Sequence, residues 1–168
     1  ALAPERVCYV TSLSKMIGPG MRLGMAWVPR AQRPSVVAAL RATLWMASPV
    51  LAEAAAILIT SGGADRIVEA KREARRLRLQ VAAEVLGREH FLAGPASYHI
   101  WMTIPGQARA SDYLRGLETH GVRGTSPEVF AAGRSPAPHA SRLCLSAARD
   151  RDALRSALEI VAAGQERI

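Results

Sequence analysis

The apolar positions of the first sixty residues follow two different spacings. Val7 to Val10 and Leu23 to Val28 are short apolar runs, which predict two buried strands. Ser35 to Met46 instead has apolar residues at helical spacing along one side, so it predicts an amphipathic helix. Ser48-Pro49 joins an N-cap residue to a proline at the first helical position, and it predicts a second helix that ends at Ser61-Gly62-Gly63.

The rest of the chain alternates helices with short strands. Helices are predicted from an Asp65 cap to about Leu86, from Ala110 to His120 and from Asp150 to about Ala163. Short strands are predicted at Phe91–Leu92, at Tyr98–Ile104 (ending at Pro105-Gly106), at Val122–Arg123 and at Arg142–Ser146. Helices and strands mixed in this way, without regular βαβ repeats, predict the α+β class.

One of the chain's two lysines lies in the polar turn between the first two predicted strands. The segment from Thr11 to Gly24 reads TSLSKMIGPGMRLG, in which Ser12 and Ser14 lie three residues and one residue before Lys15 and Arg22 lies seven residues after it. The turn follows the end of a strand, where open α/β sheets build their active sites. Lys15 is therefore a candidate active-site residue.

Three chemistries use a lysine in such a turn. A phosphate-binding P-loop requires glycines before the lysine and Ser or Thr directly after it, whereas here the glycines follow and Met16 comes next. The Ser-x-x-Lys nucleophile of penicillin-binding proteins matches Ser12 to Lys15, but the chain has no Lys-Thr-Gly, and only Ser111-Asp112-Tyr113 approaches its Ser-Asp-Asn element. An imine-forming lysine fits better, because the nearby hydroxyls and guanidinium supply donors and charge for a cofactor phosphate.

The whole run from Ser12 to Gly24 closely resembles the lysine motif of fold-type I aminotransferases, which depend on pyridoxal phosphate. It is most similar to the version in MocR-type regulators, which are GntR-family proteins with an aminotransferase-like C-terminal domain. The resemblance implies that Lys15 bonds the cofactor and that Ser12, Ser14 and Arg22 surround its phosphate.

The resemblance extends into the second half of the chain. The segments that resemble the small C-terminal domain of the same family are Gly94–Pro105, Gly121-Val122, Phe130 and Arg142–Leu145. An arginine at the position of Arg142 binds the substrate's α-carboxylate in that family, a role that suits a planar, permanently charged fork. His99 and Trp101 are assigned to strand packing, and Tyr98 departs from relatives that often have glycine or leucine before the histidine.

This resemblance implies a fold in two parts. Residues 1–62 would be a remnant of the large cofactor-binding α/β domain with its linking helices, and residues 63–168 the small α+β domain. In that family the residues that hold the cofactor ring lie upstream of the lysine, and here only fourteen residues precede Lys15. We therefore expect the chain to fold mainly through its later part and, alone, to bind pyridoxal phosphate weakly or not at all.

Composition and charge exclude some function classes. Hydrophobic residues make up 49% of the chain, which is typical of a globular protein, and the apolar runs are too interrupted for a membrane-spanning helix. The net charge of +8 comes mostly from arginine, concentrated at residues 71–78. Glu69 and Glu73 precede Arg72 and Arg76 by three residues, a spacing typical of a solvated helix face rather than of a DNA-binding surface.

Cysteine and histidine usage predicts no metal site, because neither residue type occurs at metal-ligand spacing. Cys8 and Cys144 are predicted to be buried, reduced thiols, which fits the cytoplasm.

Two functions remain for the parent protein. In the first, the chain is the C-terminal part of a pyridoxal-phosphate-binding, aminotransferase-like effector domain of a MocR/GntR-type transcriptional regulator. Such a regulator would bind an amino-acid-like ligand, form a homodimer and contact DNA only through an upstream winged-helix domain. The alternative is a plain aminotransferase that acts on an amino acid. The Ser-Pro-restarted helix, the arginine-rich helix and the strand from Tyr98 resemble the regulators more. The chain itself, whatever its parent does, is expected to be an inactive α+β fragment.

Overall fold

The computed structural model describes residues 3–104, 106, 109–133 and 136–166, and the chain divides into two compact units, residues 1–71 and 72–168. The predicted domain boundary after residue 62 stays a prediction. In the first unit, β1 (Tyr9–Ser12) and β2 (Gly24–Trp27) form an antiparallel hairpin. Its register pairs Tyr9 with Trp27 and Ser12 with Gly24.

Two helices of the first unit were predicted from the sequence, whereas a helical turn before them lies where only a polar turn was predicted. A single turn, α1 (Leu13–Met16), comes directly after β1, and α2 (Arg33–Leu44) and α3 (Pro49–Thr60) come after β2. Ser48 caps α3 as predicted, because its Oγ accepts a hydrogen bond from the Leu51 amide. Helix α2 ends two residues before the predicted Met46, since Trp45 has a φ of 64°, outside the right-handed helical range.

The hairpin strands are not buried, contrary to the sequence prediction. Tyr9, Val10 and Trp27 are 63%, 72% and 73% exposed. The apolar residues predicted to share one side of α2 include Val37 and Leu40, which are exposed as well. Continuous apolar runs are typical of strands covered on both faces, and a two-stranded hairpin provides no such cover. The pattern therefore located the strands correctly but not their burial in this chain.

A three-stranded antiparallel sheet lies at the centre of the second unit. Its strands, in spatial order, are β3 (Phe91–Ala93), β4 (His99–Thr103) and β5 (Ala140–Cys144). Ile100 and Met102 on β4 have no solvent exposure, whereas Trp101 between them is half-buried. Because successive side chains of a strand point to opposite faces, one face of the sheet forms the core and the other carries Trp101.

Helices cover the core face of this sheet. They are α4 (Gly63–Leu86), which begins in the first unit, α5 (Ala110–Thr119) and α6 (Arg151–Glu166). The Ala153 amide donates to Asp150 Oδ1 at 2.7 Å, which lowers the pKa of that carboxyl and fixes the start of α6. The buried cluster joins the sheet to the helices through Val81, Ala82, Leu86, Phe91, Ile100, Met102, Ile104, Ala110, Tyr113, Leu117, Leu143, Leu145, Leu154, Leu158 and Val161.

Helix α4 differs from its prediction in two respects. It begins at Gly63, so Asp65 lies within the first turn and not at the cap. Arg76 forms the predicted ion pair with Glu73 at 2.8 Å. The arginine-rich face is nevertheless not wholly solvated, because Arg78 Nη1 donates to the Leu145 carbonyl at 2.7 Å and the Arg75 Nε is buried.

Other predictions also need correction. Val122–Arg123 does not form a strand; instead Thr125, two residues later, pairs with Arg142 as an isolated bridge. Cys8 is exposed and Cys144 is half-buried, so neither thiol is the buried one that the sequence predicted. The predicted strand end at Pro105 lies outside the described residues. Among the helices that the structure describes, none is long and apolar enough to cross a membrane.

Gly124 lies against tightly packed side chains of the second unit, so replacing it should destabilise the protein. A Cβ at this position would lie 2.5 Å from Leu114 Cδ2 and 2.7 Å from Ser141 Oγ. We expect Gly124→Ala to lower the free energy of unfolding by about 1–2 kcal/mol, measured by urea denaturation. Gly116 on α5 is the matched control, because a Cβ there would meet nothing within 4 Å. Gly116→Ala should be neutral or stabilising by up to about 1 kcal/mol. Equal stability of the two variants would contradict the packing argument.

Candidate functional site

Lys15 lies on α1, the helical turn that directly follows β1. Ser12 caps this turn, because its Oγ accepts a hydrogen bond from the Ser14 amide at 3.2 Å. The Ile17 amide donates to the Leu13 carbonyl at 2.8 Å and closes the turn. Leu13 is almost wholly buried, at 1% exposure, while Lys15 beside it is exposed. One buried side chain therefore anchors a turn whose lysine stays accessible.

Hairpin pairing brings Arg22 back beside the start of this turn. The Leu13 amide donates to the Leu23 carbonyl at 3.1 Å, which extends the ladder one residue beyond the pair of Ser12 and Gly24. Arg22 directly precedes Leu23, so its backbone lies next to that of the segment from Ser12 to Ser14. Lys15 and Arg22 therefore share one end of the hairpin although six residues separate them in sequence.

The glycines of the turn are not required by its backbone shape. A proline between two glycines, as in Gly18-Pro19-Gly20, is typical of a tight reversal that relies on the freedom of glycine. Neither glycine has a φ in the left-handed region, however (Gly18 is extended, with a φ of 176°), and a Cβ on either would meet nothing within 4 Å. The reversal is made instead by the 3₁₀ turn Pro19–Met21, in which the Met21 amide donates to the Gly18 carbonyl at 3.0 Å.

The side chains at this end of the hairpin have complementary chemistry. The residues that the hairpin brings to this end carry two hydroxyls (Ser12 and Ser14), the ammonium of Lys15 and the guanidinium of Arg22. Hydroxyl and guanidinium donors suit a phosphate dianion, and a primary amine is the group that bonds an aldehyde carbon. This donor set therefore fits the phosphate and the aldehyde of pyridoxal phosphate. The individual roles of the four residues stay predictions.

Arg142 lies in the second unit, on the face of the sheet opposite the core. It occupies β5 directly across from Trp101 on β4. Thr125 pairs with it on the other side: the Thr125 amide donates to the Arg142 carbonyl at 2.9 Å, and the Arg142 amide donates to the Thr125 carbonyl at 3.0 Å. Backbone pairing on both sides therefore fixes the base of this side chain.

The guanidinium of Arg142 has neighbours of two kinds. Its Nη2 donates to Thr125 Oγ1 at 3.2 Å, and its Cζ lies 5.0 Å from the centroid of the Phe130 ring. The Phe130 ring meets the Trp101 ring edge-on, with centroids 5.6 Å apart. The Nε is buried and has no hydrogen-bond partner among the residues that the structure describes. Arg142 is thus a half-buried cation whose direction is set before any ligand arrives.

Sequence reasoning missed most of this environment. Trp101 was assigned to strand packing alone, Thr125 fell outside every predicted strand, and Phe130 entered only as part of the resemblance. The contacts depend on the register between β4 and β5 and on a bridge that joins residues far apart in sequence. No local pattern in the sequence predicts either of them.

Similar sequences occur among transcriptional regulators, although no family model matches the chain. The chain is 28% identical over 161 residues to an uncharacterised HTH-type transcriptional regulator, YdeF, of Bacillus subtilis, which covers 96% of this chain and 35% of that protein. It is 33% identical over 133 residues to the HTH-type transcriptional regulator TauR of Rhodobacter capsulatus, covering 76% of this chain and 27% of that protein. The chain thus spans about a third or less of these curated relatives.

Similar solved structures are aminotransferases. An archaeal alanine:glyoxylate aminotransferase matches 97% of this chain with a TM-score of 0.83 at 19% identity, over 41% of its own length. The kynurenine aminotransferase of Pyrococcus horikoshii, solved with PMP, matches 97% of the chain with a TM-score of 0.79 at 22% identity, over 41% of its own length. LysN of Thermus thermophilus, an α-aminoadipate aminotransferase complexed with N-(5′-phosphopyridoxyl)-L-leucine, matches 99% of the chain with a TM-score of 0.75 at 22% identity, over 44% of its own length.

The two comparisons agree with each other and with the lysine motif. At these identities the solved structures establish the fold, and the curated relatives show that similar sequences occur in HTH-type transcriptional regulators. The chain has the fold of fold-type I aminotransferases and matches the C-terminal aminotransferase-like part of MocR-type transcriptional regulators.

Proposed function

We propose that this chain supplies the lysine-bearing half of a pyridoxal phosphate site in the aminotransferase-like effector region of a transcriptional regulator. Lys15 bonds the cofactor, and Ser12, Ser14 and Arg22 hold its phosphate. The observation that carries the proposal is the backbone pairing of Leu13 with Leu23, which brings Arg22 to the lysine turn. The similarity to two HTH-type regulators supports placing this region in a regulator rather than in a free-standing enzyme.

We assign the ligand-binding role to Arg142, which receives the carboxylate of an amino-acid-like molecule. The half-buried guanidinium is already oriented by Thr125 and Phe130, and a planar fork suits bidentate carboxylate binding. LysN, which shares the fold, was solved with an adduct between the cofactor and leucine, an amino acid. In the regulator, this region works as a homodimer and DNA is bound by a separate domain.

The residues of this chain have distinct tasks in the proposed site. Bound pyridoxal phosphate supplies an electron sink for chemistry at the carbon that bears an amino group. The amine of Lys15 forms the covalent attachment, so it has to lose its proton before it reacts. Arg22 and the two serines neutralise the phosphate and fix its position, while Arg142 fixes the carboxylate end of the ligand.

The alternative function is that of an aminotransferase acting on an amino acid. The observation that favours it is the fold, which is shared with alanine:glyoxylate and kynurenine aminotransferases. The two functions predict different responses to an amino acid. A sensor binds the amino acid and releases no keto acid, even when many molar equivalents of the amino acid are added. An aminotransferase releases one keto acid in each catalytic cycle. Measuring keto-acid release by the full-length protein distinguishes them.

The covalent role of Lys15 is tested by trapping the cofactor. The full-length protein that contains this chain is loaded with pyridoxal phosphate, reduced with borohydride and mapped by peptide mass spectrometry. We expect the cofactor on Lys15 and none on Lys71, because Lys15 is the lysine of the motif that also supplies Ser12, Ser14 and Arg22. In a Lys15→Ala variant the label should disappear, while Lys71→Ala should keep it. Label on Lys71, or on neither lysine, would show that the assignment is wrong.

The same experiment on the 168-residue chain tests whether this half of the site is sufficient. The resemblance to fold-type I aminotransferases implies that the residues that hold the cofactor ring lie upstream of the lysine, so on this chain alone we expect weak labelling of Lys15, no stronger than at Lys71. A saturable, stoichiometric site on the isolated chain would show that the ring needs no upstream residues.

A further inference from the structure

The guanidinium of Arg142 rests on an aromatic ring that the proposed function does not yet use. Phe130 ends the 3₁₀ turn Pro127–Phe130, and its ring centroid lies 5.0 Å from Arg142 Cζ. A cation this close to the face of a ring is attracted by the ring's quadrupole. The ring is itself held in place, because Trp101 meets it edge-on with an interplanar angle of 78°. Phe130 therefore forms a fixed surface on one side of the arginine.

A second contact fixes the rotation of the guanidinium on that surface. Nη2 donates to Thr125 Oγ1 at 3.2 Å, and the Thr125 backbone is bonded to the Arg142 backbone in both directions. The side chain and the backbone of Thr125 thus hold opposite ends of the same arginine. An arginine that is free in solution has several rotatable bonds, and ordering them on binding costs free energy.

The buried Nε determines which edge of the fork a ligand can reach. A carboxylate can pair with a guanidinium either through Nε and one Nη or through both Nη atoms. Nε is shut off from solvent in this structure and has no partner among the described residues. The side-on approach is therefore blocked, and the edge formed by the two Nη atoms remains for a planar anion.

We propose that Phe130 and Thr125 are positioning residues that orient Arg142 so that its Nη edge receives a carboxylate end-on. The proposal rests on the proposed ligand-binding role of Arg142 and adds to it two residues and a docking direction. Phe130 does not touch the carboxylate; it acts by holding the guanidinium over its ring, so that less freedom is lost when the ligand binds.

Acetate is the probe for this proposal, because it carries a carboxylate and no other polar group. The 168-residue chain is prepared with isotope-labelled arginine, and the Nε–H resonance of Arg142 is assigned by its loss in Arg142→Lys. Acetate is then titrated against chloride at constant ionic strength, and the shift of this resonance gives a dissociation constant. Arg88, whose Cζ lies 4.9 Å from the Phe91 ring centroid, is an internal reference that Phe130 variants should not change.

The expected result depends on the ring and not merely on apolar volume. Phe130→Leu should weaken acetate binding about three- to fivefold, the equivalent of an exposed cation–π contact, and should remove the ring-current shift of the Arg142 resonance. Phe130→Tyr keeps the ring and should restore both. Thr125→Val, which keeps the shape but loses the acceptor, should weaken binding about two- to tenfold. Val129→Ala, a neighbouring exposed change, should behave as wild type.

Two outcomes separate failure of this proposal from failure of the proposed function. If Arg142→Lys loses acetate binding while Phe130→Leu binds as wild type, Phe130 has no positioning role and the carboxylate role of Arg142 stands. If the Arg142 resonance of the wild-type chain does not respond to acetate, or if an Arg142→Lys chain binds acetate equally well by calorimetry, the carboxylate role is wrong and the positioning role falls with it.

Discussion

Replacing Arg22 with alanine should weaken the binding of pyridoxal phosphate to the full-length protein about 10- to 100-fold. Hydrogen bonds to a charged group contribute roughly 1.5–3 kcal/mol each, and Arg22 is the guanidinium that hairpin pairing places beside the lysine turn. The change leaves Lys15 and its turn intact, because Arg22 is exposed and outside the buried anchor at Leu13. Equilibrium dialysis of the apo-protein against the cofactor measures the loss.

The controls for this prediction separate position from charge. Arg30 is an exposed arginine of the same unit. It follows the end of β2 opposite to the one that Arg22 precedes, so Arg30→Ala should bind the cofactor as wild type does. Arg22→Lys keeps a positive charge but loses the planar fork, and its affinity should fall between those of the wild type and Arg22→Ala. Equal affinity of Arg22→Ala and Arg30→Ala would show that Arg22 does not bind the phosphate.

The lysine turn could be predicted from the sequence because everything that defines it is local. Its side chains lie within one stretch of thirteen residues, from Ser12 to Gly24, and the strands on both sides have clear apolar patterns. The structure places both strands within two residues of the prediction. The capping signal at Ser48 also worked, because this one residue starts α3, whereas the predicted cap at Asp65 lies within the first turn of α4.

The environment of Arg142 could not be predicted in the same way. Its cross-strand partner Trp101 is 41 residues away in sequence, and Thr125 is 17 residues away. Pairing over such distances is set by the register of the sheet and by the packing of its other face, neither of which appears as a local pattern. The family resemblance supplied the candidate arginine, and only the structure supplied the ring and the hydroxyl that orient it.

Burial was the other quantity that the sequence predicted poorly, and the two units differ in this respect. In the second unit, buried positions alternate along β4 as expected, because helices cover one face of the sheet. In the first unit, the strands carry apolar residues of the kind that larger sheets bury, yet Val10 and Trp27 are exposed here. A run of apolar residues is typical of a strand that other parts of the protein cover on both faces. The exposed apolar residues of this hairpin are therefore consistent with the proposal that other chain segments complete the site.

Tyr113 should make the stability of the second unit fall at alkaline pH. Its side chain is 6% exposed, its hydroxyl donates to the Val161 carbonyl at 3.1 Å, and burial raises its pKa to about 12 from an ordinary value of 10.0. Below pH 10 the phenol is neutral in both states and has no effect on the pH dependence. Between pH 10 and 12 the unfolded chain releases this proton and the folded chain keeps it, so the free energy of unfolding falls, by on the order of 2–3 kcal/mol in total.

The variant Tyr113→Phe isolates this contribution. It should be less stable than wild type at pH 7 by about 1 kcal/mol, because the hydrogen bond to Val161 is lost. It should then lose less stability than wild type between pH 10 and 12, since it has no buried phenol to ionise. Urea unfolding at several pH values, followed by far-ultraviolet circular dichroism, measures both effects. Tyr9→Phe is the matched control: Tyr9 is 63% exposed, so this variant should follow the wild-type curve. If Tyr113→Phe and Tyr9→Phe show the same alkaline dependence, burial of the Tyr113 phenol is not what destabilises the fold at high pH.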